Sequence, residues 1–303
     1  MSTFMKRLPY RKRMVAYYLH RKSKSKDWIY TLDDKALEDE VARWFYAQTG
    51  VRINIAHPQT FNEKMQWLKV HDRDPRKATL SDKLAMRPEV AAITGEQALP
   101  QVYRTWDRAQ DIDFTGLPER FIVKCNNGSD MMLRVTDAST IDMDEVRKKA
   151  KGWLRRDFAA EYFEMQYAEM EPRIFAEEWI DDIEWEYQAW VFNGKTQYVA
   201  AIQQPHGVNE KQFFSPDWEK LPFVSSQPEY QGVVERPDCL EQIIELSERL
   251  SEGFLFVRVD WYGTGHGLMF SETTFTPAFG NVRWDPAEYN LKAGQLLHLP
   301  IED

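Results

Sequence analysis

The chain has 303 residues, is 43% hydrophobic and 14% aromatic, and carries a formal net charge of −9; this excludes disorder and suits one large domain or two to three subdomains with real cores. Two cysteines, Cys125 and Cys239, make neither a metal spacing nor a disulfide framework, which points to a reducing, cytoplasmic setting. No apolar run approaches a membrane span, and MVAYYL is too short for a signal core.

Residues 1–26 hold nine of the 39 Lys and Arg and no acid, so 30 basic residues face 48 acidic ones in the rest of the chain. Such a basic arm suits an anionic membrane face or an acidic glycan, with a solvated helix end as the plainer alternative. An acidic body would repel phosphate backbones, so no nucleic-acid partner is expected. KALEDEVARWFYAQTG (35–50) has helical periodicity and stops at Gly50. TFNEKMQWLKV (60–70) opens with Thr60 and, three residues on, Glu63, the spacing of a capping box. SDKLAMRPEVAAITG (81–95) predicts a helix opened by Ser81 and closed by Gly95.

Beyond residue 100 the pattern changes. FIVKC (121–125) and MLRVTD (132–137) predict a hairpin through NNGSD, and residues 144–170 return to helix. RIFAEEWI (173–180), EYQAWVFNG (186–194) and TQYVAAIQ (196–203) read as strands, the last two joined at Asn193-Gly194. CLEQIIELSERLSEG (239–253) is an amphipathic helix, and FLFVRVDWY (254–262) and LMFSETTFT (268–276) make a final hairpin around GTGHG. The fold class is α+β. The expected divisions are an arm (1–26), a mainly helical region (27–100), a small lobe (101–175) and a large lobe (176–303).

The chemistry starts from FSETTFTP (270–277), a strand that reads as buried yet carries Glu272; an isolated buried carboxylate is costly unless paired or metal-bound. With a side-chain period of two, Arg258 and Asp260 share a face, as do Glu272 and Thr274. Two carboxylates and a hydroxyl, completed by water and phosphate, can hold Mg²⁺, and the arginine can neutralise a transferring phosphoryl group. A cross-strand ion-pair network is the alternative. Lys124, before a glycine-containing turn, can hold a phosphate, and the amides of Asn127, Gly128 and Ser129 could form a nest for others. RIFAEEWI and EYQAW join an apolar strand to paired acids, fit for an adenine pocket and a ribose contact. The six histidines are scattered, with His266 read as a turn residue, and no Cys–His or Ser–His–Asp signature occurs.

Taken in order, TFNEKMQWLK, SDKLAMR, FIVKCNNGS, PRIFAEEWI, EYQAWVFNG, FVRVDWY and FSETTFTP resemble the ATP-grasp superfamily, and more closely its TupA-like family of cell-surface polysaccharide biosynthesis. The resemblance covers about residues 58–299. It implies two α+β lobes clamping ATP, with ATP and Mg²⁺ as cofactors. Arg87, or less readily Lys83, matches the first phosphate-contacting basic residue and Lys124 the second. Glu177, Glu178, Trp179 and Ile180 match the hinge that reads adenine, and Glu184 or Glu186 the ribose contact. Asp260 and Glu272 match the magnesium carboxylates, with Thr274 where the broad superfamily has Asn, and Arg258 matches the arginine facing an acyl-phosphate. Three departures stand out. The N-terminal 75 residues look helical, unlike the alternating α/β domain that precedes many ATP-grasp folds. NNGSD offers one glycine where the family usually has two, and Gln188 replaces a common basic residue of the nucleotide site.

The implied activity is an ADP-forming carboxylate–amine ligase. Its carboxylate is expected on a uronic-acid-type sugar or a glycan-linked amino acid, its amine on an amino acid or small amino alcohol, and its location in the cytoplasm or at the inner membrane face. One rival is a nucleotide-sugar glycosyltransferase using an Asp-x-Asp pair (Asp72/Asp74, Asp111/Asp113 or Asp142/Asp144). The other is a degenerate ATP-grasp scaffold.

Overall fold

The computed structural model describes residues 9–25, 27–203 and 208–301, so Lys6, Arg7 and Lys26 of the basic arm lie outside the described residues. The rest of the arm is helix α1 (Tyr10–Lys22), laid on α2 (Asp34–Thr49). Arg13 Nε donates to the Ala47 carbonyl at 3.3 Å, His20 pairs with Glu40 at 2.8 Å, and the Arg21 guanidinium lies 5.1 Å over the Trp28 ring. Helix α2 starts where Asp33 accepts from the Ala36 amide and ends at Gly50, whose φ of 72° favours a residue without Cβ.

Helix α3 (Phe61–His71) has both halves of the capping box: Thr60 accepts from the Glu63 amide, and Glu63 accepts from the Thr60 amide. The helix expected from Ser81 is corrected. Ser81 closes α4 (Arg76–Ser81), Asp82 turns the chain by accepting from the Leu84 and Ala85 amides, and α5 (Arg87–Thr94) begins one residue before Pro88. Proline has no N–H and is tolerated only in a first turn, so the helix cannot pass through residue 88 from Ser81.

A four-stranded antiparallel sheet follows. It contains β1 (Val102–Trp106), β2 (Phe121–Cys125), β3 (Met132–Val135) and, after α6 (Met143–Trp153) and α7 (Phe158–Tyr162), β4 (Ile174–Glu177). The order is β1-β4-β2-β3, so the last strand inserts beside the first two. Strand β1 went unread because VYRTW is a mostly half-exposed edge without alternation.

Residues 178–182 lead, without regular structure, into the large sheet. Its strands are β5 (Ile183–Phe192), β6 (Lys195–Gln203), β7 (Glu210–Phe214) and, beyond the short β8 (Val224–Ser225) and α8 (Leu240–Leu250), β9 (Phe256–Thr264) and β10 (Gly267–Thr274). The order is β10-β9-β5-β6-β7, all antiparallel. Asn193 and Gly194, at φ 46° and 78°, make the tight turn between β5 and β6. A short β11 (Trp284–Asp285) pairs with β8, and α9 (Tyr289–Leu296) closes the chain.

Period-two alternation divides this sheet into two faces. Ala189, Val191, Val257 and Val259 pack with Leu240, Ile243 and Leu250 of α8. On the other face Trp190, Phe192, Phe213 and Phe256 pack with Phe61 and Met65 of α3 and with Leu297 beyond α9. Further along the same strands, Glu186, Gln188, Arg258 and Asp260 fall on the α3 side by the same period. Helix α3 also holds the chain leaving β10: Asn62 Nδ2, Gln66 Nε2 and Lys69 Nζ donate to the carbonyls of Val282, Gly280 and Phe279 at 2.9, 2.7 and 2.7 Å. That stretch includes two successive non-glycine residues in the left-handed region, Ala278 at φ 50° and Phe279 at φ 56°.

Candidate active site

Strand register gathers the site. Gln188, Asp260 and Glu272 stand abreast on β5, β9 and β10, and Trp190, Arg258 and Thr274 form the next row. A bulge places Ser271 between the Phe270–Trp261 and Glu272–Asp260 pairs. Strict alternation would give Phe270 and Glu272 one environment; the extra residue re-aims the strand. Phe270 is 1% exposed and packs edge-on to Trp261, while the Glu272 side chain stays 34% exposed at a cavity. Glu272 is therefore less buried than FSETTFTP suggests.

Arg258 is the hub. It donates to Asp260 Oδ1 and Oδ2 at 2.7 and 2.6 Å, to Glu272 Oε1 at 3.3 Å and to Thr274 Oγ1 at 3.0 Å. Burial, together with the neighbouring Glu272 charge, pushes the Asp260 carboxyl up to about 7 against the pull of Arg258. Arg258 thus serves two carboxylates, Asp260 and Glu272, at once. The donors are hard oxygens, as Mg²⁺ requires. Among the described residues no group of three or more His, Cys, Asp or Glu could hold a metal alone, so a bound Mg²⁺ would draw its remaining ligands from phosphate and water.

Gln188 does not simply remove a charge. Its amide donates to Glu186 Oε1 and Asp260 Oδ2, both at 3.1 Å, and its carbonyl accepts from Lys211 Nζ at 3.3 Å. Lys211, on β7 and 3% exposed, returns a cation from two strands away, across β6. Burial, then the nearby Arg258, lowers its pKa to about 7. Sequence reasoning missed it; the signal was the alternation of Lys211 with Phe213 in KQFF, which puts both on the α3 side.

The opposite wall comes from the small sheet and the α4–α5 turn. Lys124 forms an ion pair with Glu177 on the adjacent strand. Burial opposes its charge, but Glu177 outweighs burial and holds the pKa above the usual lysine value. Lys83 donates to the Gly128 carbonyl at 2.6 Å and lines the cavity, whereas Arg87 donates to the Pro100 carbonyl at 2.6 Å, outside the lining. The structure thus brings Lys83, not Arg87, to the cavity.

Gly128 has φ 72°, and a Cβ there would run into the Phe158 ring. The second left-handed position of the loop is filled by Asp130, φ 59°, so one glycine suffices. The loop is anchored from below. Asn126 Nδ2 donates to Asp82 at 2.8 Å and its Oδ1 accepts from the Arg173 amide at 2.7 Å, while Asn127 Oδ1 accepts from Cys125 Sγ at 2.9 Å. Among the described residues the Gly128 and Ser129 amides donate to no backbone carbonyl.

In the hinge, Glu178 and Gln101 are joined twice: the Glu178 amide donates to the Gln101 carbonyl at 2.8 Å, and its carboxylate accepts from the Gln101 amide at 3.0 Å. Arg120 lies 4.6 Å over the Trp179 ring, Ile180 is half-buried, and Glu184 is exposed whereas Glu186 is half-buried. A partly open cavity of about 230 Å³ is lined from one side by Lys83, Gly128 and Ser129 and from the other by Arg258, Glu272 and Thr274. Lys83 and the turn at Gly128–Ser129 thus stand across from the Arg258–Glu272–Thr274 face of the hairpin.

Two sheets with this site between them are the architecture of an ATP-grasp protein. Residues 63–298 match the TupA-like ATP-grasp family, and the chain belongs to it. Among solved structures it is similar to D-alanine–D-alanine ligase from Bacillus anthracis (17% identity over 65% of this chain and 57% of that one, TM-score 0.40). It is also similar to the D-alanine–D-alanine ligase from Helicobacter pylori (13%, 72% and 61%, 0.40). A third is the ATP-grasp ligase PsnB complexed with minimal precursor, Mg and ADP (13%, 79% and 58%, 0.37). The chain thus spans a little over half the length of these structures. No curated protein matches it.

Proposed function

We propose that the protein is an ATP-dependent ligase that joins a carboxylate to an amine through an acyl-phosphate, releasing ADP, in the modification of a cell-surface polysaccharide. The observation that carries this reading is one cavity lined by Lys83, Gly128 and Ser129 on one side and by Arg258, Glu272 and Thr274 on the other, with Lys124 (paired to Glu177) and Asp260 (paired to Arg258) outside the lining. In it the amides and Lys83 cradle phosphate oxygens, and Lys124 exchanges part of its contact with Glu177 for a phosphate. Lys211 supplies charge from the floor. The hinge 177–180 reads adenine through its backbone, and Glu186 holds the ribose. When bound through Asp260, Glu272 and Thr274, Mg²⁺ neutralises the nucleotide phosphates and the developing charge.

The substrate carboxylate attacks the γ-phosphorus, breaking its bond to the ADP oxygen. Arg258 stabilises the charge on the transferring group. The amine then attacks the acyl carbon, the C–O bond to phosphate breaks, and the departing phosphate takes up the amine proton. No side-chain nucleophile is required, because positioning and charge neutralisation supply the rate. The expected carboxylate is a uronic acid or a glycan-linked amino acid and the amine a small amino compound, handled at the cytoplasmic membrane face.

Both rivals lose support. Of the Asp-x-Asp pairs, Asp72 is bound to Lys77 and Asp74 to Arg76, Asp111 to Arg108 and Asp113 to Thr115, and Asp142 caps α6. The degenerate scaffold rested on Gln188 and the glycine-poor loop; the Lys211 contact to Gln188 and the left-handed backbone of Asp130 favour the active reading instead. The deciding experiment incubates the protein with Mg·ATP and separately with Mg·UDP-sugars. Thermal stabilisation by ATP, with ADP released only when a carboxylate and an amine are both present, supports the ligase. UDP release without a response to ATP overturns it.

A further inference from the structure

Helix α1 buries none of its residues. Arg13, His20 and Arg21 turn towards α2 and Trp28. The other side carries Val15, Tyr18 and Leu19, exposed at 52%, 62% and 59%, set among exposed Arg11, Lys12 and Lys22. At 100° per residue these six positions fall within one third of the helix circumference. Among the described residues no carboxylate pairs with Arg11, Lys12 or Lys22. Residues 1–8, outside the described residues, add Lys6, Arg7, Phe4, Met5 and Leu8 to the same composition and no acid.

We propose that this outward face of α1 docks the protein peripherally on an anionic lipid surface. A merely solvated helix end would carry charge across its exposed face, whereas here a branched aliphatic, a tyrosine and a leucine occupy the centre. That is the composition of a helix lying in a membrane interface, with apolar side chains at the acyl boundary and Lys and Arg among the headgroups. A soluble polyanion would satisfy the lysines but leave Val15 and Leu19 in water. The charge distribution fixes the approach: an anionic surface repels the acidic body and attracts this one end. The inference is independent of the ligase reading.

The test uses the full chain, sedimented with vesicles of phosphatidylcholine alone or mixed with phosphatidylglycerol, at low and high salt. Binding is expected to the mixed vesicles only, and to weaken about tenfold or more in high salt. Lys12→Glu/Lys22→Glu should lose binding by a similar factor. Val15→Ser/Leu19→Ser should weaken it at unchanged charge, and both pairs should keep the wild-type melting temperature because the positions are exposed. Equal binding to both vesicle types, or wild-type binding by either variant, overturns the proposal. So does binding of a soluble acidic polysaccharide, polygalacturonate, with vesicles ignored, which would make an acidic glycan the occupant. A concentration-dependent dimer abolished by the variants, with no vesicle binding, would overturn it in favour of a second copy of the chain.

Discussion

Glu272 and Lys211 meet the same crowded electrostatics from opposite sides. Glu272→Gln keeps the shape of the hairpin but leaves Arg258 and any cation with one carboxylate fewer. Turnover should fall by roughly 10²–10³-fold while circular dichroism is unchanged, as when a preorganised charge is removed from a reacting centre; undiminished turnover would rule out its metal role. Lys211 is a cost to the folded protein. Its folded pKa of about 7 lies below its ordinary 10.5, so between these values the unfolded chain holds a proton that the folded one lacks. Stability therefore rises with pH across that window, by at most about 1.4 kcal/mol per unit. Lys211→Met should be more stable than wild type near pH 7 in urea titrations, lose this rise, and lose turnover. The two residues differ in legibility. Glu272 stands out as a charge inside an apolar strand, and its partner strand is close in sequence. Lys211 acquires meaning only from the pairing of β7 with β6, a contact no local pattern announces.

At the scale of elements, local grammar was readable wherever one residue type had one physical reason to be there. The Thr60–Glu63 box, the Asn193-Gly194 turn and the Gly50 stop all form as their spacing dictates. Although burial opposes its charge, amides of Thr60, Gln59 and Asn54 together hold the Glu63 carboxyl below the usual range. Thr60→Ala should cost about 1 kcal/mol, read from the urea midpoint. The phosphate loop is a harder case. Counting glycines suggested a weak loop, whereas its conformation rests on buried asparagines and on Asp130 accepting a left-handed backbone. Gly128→Ala should clash with Phe158 and abolish thermal stabilisation by Mg·ATP, because both the φ of 72° and the ring beneath exclude a methyl group. The helix misplaced at Ser81 shows the converse: periodicity ran on through a proline whose chemistry forbids it.

For the whole molecule, the nucleotide is expected to bridge elements that now neutralise themselves separately, Lys124 with Glu177 on one side and Arg258 with Asp260 on the other. Nucleotide at a hundredfold excess over its Kd should add about 2.7 kcal/mol to stability, and chelation of Mg²⁺ should remove most of that gain, both measured by thermal denaturation. The sheet order, with β4 inserted beside β1 and β2, was not legible, since nothing local in RIFAEEWI specifies its neighbours.

The link from α3 to the chain leaving β10 has a consequence for descent. Asn62, Gln66 and Lys69 occupy one side of a helix, and each serves a carbonyl of a stretch more than two hundred residues downstream. Gly280 comes so close to Gln66 that no side chain fits between them. Neither segment can drift alone, because losing Asn62, Gln66 or Lys69 leaves a main-chain carbonyl of the later stretch without its donor, and a side chain at Gly280 would displace Gln66. Among homologues the two should change together. A chimera joining the first hundred residues of one relative to the remainder of another should fold and turn over only when both segments were inherited as a pair.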